Sequence, residues 1–274
     1  MKIAVCFKII ADYDRMSEKD WIWDTGHFVD TSFVRRVFNC FDESALETAL
    51  MLSRQFETLS EPCELTAVTV DDEQGDLFLR HLTAIGYSHA VRICCTGQPD
   101  LRFNSLVIAR LISRYIQQAD QQLVILGQQG GEGDNGQTGF LVAEQLGWPC
   151  IGEVTNVVRA GSSLLLEVES RIDGGILRQT TALPLVLIMG NSLNSPFLRV
   201  PTLKQKLNAK AKPLTLLSEY DLGLDSKALH NTDKVLLSLH RPKKDRSCVF
   251  VNGKTAREQA KNLYDHYLKG RLPF

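Results

Sequence analysis

In the first half of the chain, predominantly apolar runs at 2–10, 65–70, 90–95 and 123–126 stand out from a mixed background. Their polar positions do not alternate, which is the pattern of parallel strands covered by helices on both faces. Between these runs, apolar residues recur at helical spacing. Phe41, Ala45, Leu46, Ala49 and Leu50 follow Asn39, a predicted helix cap with Asp42 and Glu43 in the first turn, and the helix runs to about residue 59. Leu77, Leu82 and Ile85 form the buried side of a second helix, which opens with the acidic residues 71–73 and ends near Gly86. Leu106, Ala109, Leu111, Ile112 and Ile116 form the stripe of a third, between Asn104 and Ala119. The fourth covers 140–146 and stops at Gly147 and Pro149. This alternation predicts βαβ units, hence an α/β fold with a mostly parallel, Rossmann-like sheet. In such a sheet, ligands sit beyond the carboxyl ends of strands where the strand order reverses. The end of the first strand, residues 6–11, and the loop after 123–126 are predicted to face each other across that crevice.

After Pro149 the texture changes. Strands at 153–159, 164–170 and 177–189 are joined by short turns at 160–163 and 173–175, which predicts antiparallel pairing and an extension of the sheet. A basic helix follows at 201–212, then a mixed, loop-like stretch at 214–245. A final helix begins at Thr255, where Thr255 and Glu258 form a capping-box pattern, and runs to about residue 268. Its apolar row, Ala256, Ala260, Leu263 and Tyr267, has nothing nearby in sequence to cover it. The chain thus divides into an α/β domain over 1–212 and a C-terminal helical arm over 213–274. Residues 11–38 fit no regular element well, and a small hairpin turning at 24–26 is the expectation there.

The most specific local signal is the loop at 127–139, GQQGGEGDNGQTG. Glycines let the backbone take positive φ and let a ligand approach closely. The helix start behind them offers unpaired N–H groups and a positive dipole end, which suits phosphate. Asp134, Gln137 and Thr138 add side-chain hydrogen-bonding groups. An ordinary strand–helix connection is the rival reading of the same residues.

Composition narrows the function classes. A formal net charge of −1 offers no electrostatic case for nucleic acid or an anionic membrane. No apolar run approaches the ~20 residues that span a bilayer, so membrane insertion is not expected. The chain opens directly on a strand pattern rather than a secretory signal, and its seven cysteines show neither Cys-x-x-Cys nor zinc spacing. A cytoplasmic protein with mostly buried thiols is expected. The glycine loop has no phosphate-loop lysine, which argues against ATP hydrolysis, and no serine nucleophile motif is present. His81 and His89 lack partners at ligand spacing and read as surface residues. Cys94 and Cys95 point to opposite strand faces and read as buried thiols rather than a dithiol switch. Trp21 and Trp23 share a face, with packing favoured over stacking on a ligand.

Several pieces together resemble the β subunit of electron-transfer flavoproteins. They are Phe7 and Lys8 at the end of the first strand, and Asn39, Cys40, Phe41, Asp42 and Glu43 at a helix start. Gly127, Gln128 and Gln129 with residues 134–139, Leu146 to Pro149, Arg171 to Gly175, Ala182 to Pro184, and Ser192 to Pro196 with Arg199 and Pro201 complete the set. The resemblance covers nearly the whole chain in order. It implies an adenine nucleotide alpha hydrolase-like fold and an electron carrier of two unlike subunits, not a catalyst with its own substrate. FAD would be shared with or held by the α subunit, and the β crevice would hold AMP or a second FAD. The matched positions imply that Cys6, Asn39, Cys40, Phe41, Asp42, Val70, Gln129, Asp134, Asn135, Gly136, Gln137 and Thr138 line that crevice. They also imply that Leu193 anchors a partner flavin dehydrogenase, with Phe197 or Leu198 next in line. The chain departs from the family pattern at Cys40, where proline is usual, at Gly136, where asparagine is usual, and after Leu193, where the loop is one residue longer. Two other classes share the crevice: a nucleotide-binding regulatory, stress-protein-like module without redox role, and an enzyme acting on an adenylated substrate.

Overall fold

The computed structural model describes residues 1–21, 29–58, 61–95, 101–161, 165–192, 197–225, 229 and 247–271. The chain divides into two compact units, Met1–Val235 and Leu236–Phe274. The first is built on a nine-stranded sheet. In chain order its strands are β1 (Lys2–Cys6), β4 (Glu64–Val70), β5 (His89–Cys94), β6 (Leu123–Gly127), β7 (Cys150–Arg159), β8 (Leu165–Ile172), β9 (Gly175–Ala182), β10 (Leu185–Met189) and β11 (Thr215–Ser218). Two short strands, β2 (Ile9–Ala11) and β3 (Arg36–Phe38), pair antiparallel beside it. The spatial order is β11-β5-β4-β1-β6-β10-β7-β8-β9. Every pair from β11 to β7 is parallel, and β7-β8 and β8-β9 are antiparallel.

Helices α1 (Cys40–Glu57), α2 (Gly75–Ile85), α3 (Ser105–Gln118) and α4 (Thr138–Leu146) follow β3, β4, β5 and β6, and α5 (Leu203–Ala209) follows β10. Successive strand residues point to opposite faces, so β1 feeds two cores. Ile3 and Val5 join Leu46, Leu52, Leu79 and Leu82 from α1 and α2. Ala4 and Cys6 join Leu111, Ile116, Val142 and Ala143 from α3 and α4. The three layers explain why the strand runs lack alternation.

Several sequence expectations change. The first apolar run is two strands, because Lys8 turns its N–H to the Asp42 carboxylate (3.0 Å) and its carbonyl to the Asn39 N–H (3.1 Å), ending the ladder with β4. The run at 177–189 is also two strands. Proline has no N–H for a ladder, and the chain breaks at Leu183 and Pro184. Beyond the break, β10 enters the parallel core between β6 and β7 instead of continuing the antiparallel extension. The stretch expected to be loop-like contains β11, which adds a parallel edge to β5. Leu77 is 74% exposed, and Leu79 takes the buried place on α2. His81 is half-buried rather than on the surface, with its ring 5.6 Å from that of Phe38. The hairpin expected at 24–26 and Trp23 lie outside the described residues, whereas Trp21 stacks on Tyr13 at 5.6 Å.

In the second unit, α6 (Ala256–Leu263) continues as a wider turn over Tyr264–Leu268. Thr255 Oγ1 accepts from the Glu258 N–H at 3.2 Å, and the Glu258 carboxylate reaches back to the Lys254 N–H at 2.8 Å. No residue of α6 is buried within the described chain.

Candidate functional site

The chain runs outward from β1 to β4 and β5, then returns to β6 on the other side of β1. That reversal opens a crevice past the carboxyl ends of β1 and β6, as expected of such sheets. Its volume is about 600 Å³. The 127–139 loop forms one wall, residues 6–11 another, and the ends of β4 and β5 contribute Val70 and Cys94.

Glycine is needed in the wall where space is tight. A Cβ on Gly127 would collide with the Asp42 carboxylate and lie 2.8 Å from the Asp42 backbone N, and one on Gly139 would lie 2.7 Å from the Ile188 side chain. Gly133 and Gly136 take φ of +79° and +59°, so the loop curls back toward α4. There Asn135 Oδ1 accepts from the Gln137 N–H at 3.0 Å, and Ser105 Oγ donates to Gln137 Oε1 at 3.2 Å.

Asp42 holds the base of the crevice. One carboxylate oxygen accepts from the Gly127 N–H (2.8 Å), the other from the Lys8 N–H (3.0 Å) and Asn39 Nδ2 (3.1 Å). A single side chain thereby ties α1 to the ends of β1 and β6. Burial pushes the Asp42 carboxyl up to about 6, and the donated hydrogen bonds and the Lys8 ammonium offset only part of that push. Asn39 stands at the cap position of α1 but does not cap it. Its Nδ2 donates to Asp42 and, at 2.7 Å, to the Gln129 carbonyl.

Of the residues expected in the site, Cys6, Asp42, Val70, Gln129, Asn135, Gly136, Gln137 and Thr138 line the crevice. Asn39 lies behind the wall, buried against Asp42 and Gln129. Cys40 is exposed at the start of α1, and neither it nor Phe41, whose backbone packs close to Gly127, lines the crevice. Asp134 is exposed with φ of +38°, and its carboxylate accepts from Gln129 Nε2 at 2.6 Å, which shapes the loop from outside. The Cys6 thiol is buried, and that burial raises its pKa. Cys94 and Cys95, read as buried thiols, are half-exposed and line the crevice. Leu193 lies outside the described residues; of its neighbours, Phe197 is 78% exposed, while Leu198 packs against the core.

Sequence reading missed a charged group in the same walls. Lys8 Nζ lies 3.5 Å from Glu132 Oε2, and Tyr13 Oη donates to Glu132 Oε1 at 3.0 Å. Burial lowers the Lys8 pKa, with Glu132 opposing the shift. Arg36 Nη2 reaches both oxygens of Asp71, at 3.0 and 2.9 Å, and Nη1 reaches Asp72 at 3.3 Å. A lysine interrupting the apolar run 2–10 was the available signal for the first group. Nothing local marks the second, whose members lie on β3 and beyond β4.

Among the described residues, no helix is long and apolar enough to cross a membrane. The electron transfer flavoprotein domain matches residues 28–222. YgcR of Escherichia coli (strain K12), a candidate electron transfer flavoprotein subunit, is 30% identical over 274 residues, 99% of each chain. Electron transfer flavoprotein subunit beta of Bacillus subtilis (strain 168) is 30% identical over 247 residues, 90% of this chain and 91% of that one. Its Homo sapiens counterpart is 28% identical over 225 residues, 82% of this chain and 84% of that one. With the domain matched across most of its length and relatives aligned nearly end to end, this chain belongs to the electron transfer flavoprotein family.

Proposed function

We propose that this chain acts as the β-type subunit of an electron transfer flavoprotein, pairs with an α-type subunit, and holds an adenine nucleotide, AMP or FAD, in its own crevice. The pair then passes electrons between a flavin dehydrogenase and an acceptor. Family membership and the near full-length likeness to β subunits support the carrier role. The observation that carries the nucleotide reading is the 127–139 loop, which curls over the switch-point crevice and delivers its chain into the N-terminus of α4.

The residues present fit such a ligand. The cavity of about 600 Å³ is lined on its loop side by Asn135, Gly136, Gln137 and Thr138, whose side chains include two amides and a hydroxyl. At Gly136 the backbone holds φ of +59°, a left-handed conformation that glycine takes without strain, and this shapes the wall of the crevice. A bound flavin supplies the redox chemistry. The chain's own part is to bind and orient: Thr138 and Gln137 hold phosphate at the start of α4, while Asp42 and Asn39 keep the loop fixed to the sheet. Leu193 is proposed to anchor the dehydrogenase, and the arm that includes α6 to clasp the α-type subunit.

The test is to purify the full chain with its α-type partner, denature the complex and identify what is released. FAD together with AMP, or FAD alone in excess of one per complex, is expected. Release of neither flavin nor adenine nucleotide overturns the reading. The same preparation tests the docking assignments. Removing residues 247–274 should abolish copurification, and Leu193→Ala should slow reduction by sub-saturating dehydrogenase without changing nucleotide content. Association at full strength or reduction at the wild-type rate, respectively, sinks each one.

A further inference from the structure

The walls of the crevice differ in how they are held. The ends of β1, β4 and β6 belong to the nine-stranded sheet, whereas β2 and β3 pair only with each other, through three residue pairs. A two-stranded ladder has little stability of its own. Ile9, Ala11 and Arg36 of this ladder line the crevice, together with Thr31, Ser32 and Val34 just before β3. The base of the ladder is fixed by apolar packing, with the Phe38 ring 5.6 Å from Phe7 and 4.9 Å from Phe78. Its loop side is fixed as well. Ile10 lies so near Gly131 that a Cβ there would sit 2.9 Å from Ile10 Cδ1, and Tyr13 donates to Glu132. On the β4 side the tie is ionic. Arg36 Nη2 reaches both Asp71 oxygens and the Ile9 carbonyl (3.3 Å), and Nη1 reaches Asp72. Water reaches this tie: the Arg36 and Asp72 side chains are 25% and 62% exposed, whereas that of Glu132 is 8% exposed. Ion pairs open to solvent hold weakly. A ligand sunk in a cleft of this size loses most of its contact with water, so it leaves only when a wall moves. The β2–β3 wall can move without breaking the large sheet.

We propose that Arg36, through Asp71 and Asp72, is the latch of this wall and sets how fast a nucleotide enters and leaves the crevice. This rests on the reading of the crevice as an adenine nucleotide site. Arg36 is a positioning residue, because it joins protein to protein and acts alike on the filled and the unfilled crevice. Releasing it speeds entry and exit together and leaves the dissociation constant nearly unchanged. Loss of a direct contact with the nucleotide would instead raise the dissociation constant through the exit rate.

Two measurements on the full chain in complex with its α-type partner test the latch. The first is hydrogen exchange read by mass spectrometry, which needs no ligand. Arg36→Gln should speed exchange of the amides in 10–12 and 34–38 by roughly tenfold and leave β1 and β4 unchanged. The second loads the nucleotide-stripped complex with radiolabelled AMP, follows its release into excess unlabelled AMP, and takes Kd from equilibrium dialysis. Arg36→Gln should raise the exit rate by roughly tenfold and Kd by less than about twofold. Asp71→Asn should act in the same way, and the double variant should be no faster than the faster single one, since both break one pair. Asp72→Asn loses one exposed contact, should show a smaller rise in both rates, and decides the matter if Arg36→Gln does not fold. An unchanged exit rate, a Kd that rises in step with it, or faster exchange throughout the sheet overturns the proposal. If the wild type binds no AMP, the crevice reading is sunk, and the exchange measurement still decides whether Arg36 latches the wall.

Discussion

β10 and β9 are separated by two residues, yet their environments are opposite. All five residues of β10 are buried between β6 and β7, with helices on both faces. Six of the eight residues of β9 are exposed, including Ile176 at 55% and Leu177 at 43%. Between these extremes, β8 alternates, burying Leu166, Val168 and Ser170 on one face only. The difference shows where the fold is over-determined and where it is open. At the parallel centre every side chain meets packed neighbours, and the carboxyl edge is rigid enough to shape a crevice. At the antiparallel end, β9 pairs with β8 alone and leaves its outer edge unpaired among the described residues.

That contrast is sharpest at matched substitutions. Ile125 in β6 is fully buried, so Ile125→Ala should cost roughly 2–5 kcal/mol. Ile176→Ala, with half its surface already in water, should change stability by less than about 1 kcal/mol. Urea unfolding of the two variants measures both, and equal costs would erase the distinction between the regions. A similar comparison applies to backbone space. Gly127→Ala drives a methyl group into Asp42 and should cost on the order of 3 kcal/mol, whereas Gly175→Ala, with nothing within 4 Å, should stay within about 0.5 kcal/mol. A tolerated Gly127→Ala would mean that α1 and β6 can separate without loss.

The smallest expected effect concerns charge. With Asp42 raised to about 6 in the folded protein, folding takes up a proton above the ordinary aspartate range. Its contribution to stability is therefore complete below about pH 4 and is lost as pH rises through about 6. Asp42→Asn removes that slope while losing an acceptor for two donors. The stability gap between wild type and variant should be widest below about pH 4 and should be narrower at pH 7 than at pH 4.5 by on the order of 2 kcal/mol. A gap that widens with pH would show that the hydrogen bonds from Lys8, Asn39 and Gly127 outweigh burial. The Arg178–Glu169 pair on the extension, 2.7 Å apart with Arg178 exposed, supplies the contrast. Its loss should cost about 0–1 kcal/mol and less at high salt.

Much of this molecule was determined locally. Predominantly apolar runs marked the parallel strands, helical spacing marked α1 to α4, and the glycine loop before α4 marked the crevice wall, because each depends on residues a few positions apart. The same locality placed Gly136, Gln137 and Thr138 correctly at the entrance to a helix. Tertiary structure alone decided the rest. That β10 inserts between β6 and β7 depends on which buried neighbours it finds, and its apolar pattern would suit several places in the sheet. Leu77 and Leu79 are equally apolar, and only the docking of α2 chooses which faces the core. Asn39 looked like a cap but serves Asp42 and Gln129, 90 residues away in the second case. Lys8, Glu132 and Tyr13 likewise become one cluster only when the ends of β1 and β6 meet, because a polar group's partner is set by proximity in space, which local sequence periodicity does not encode.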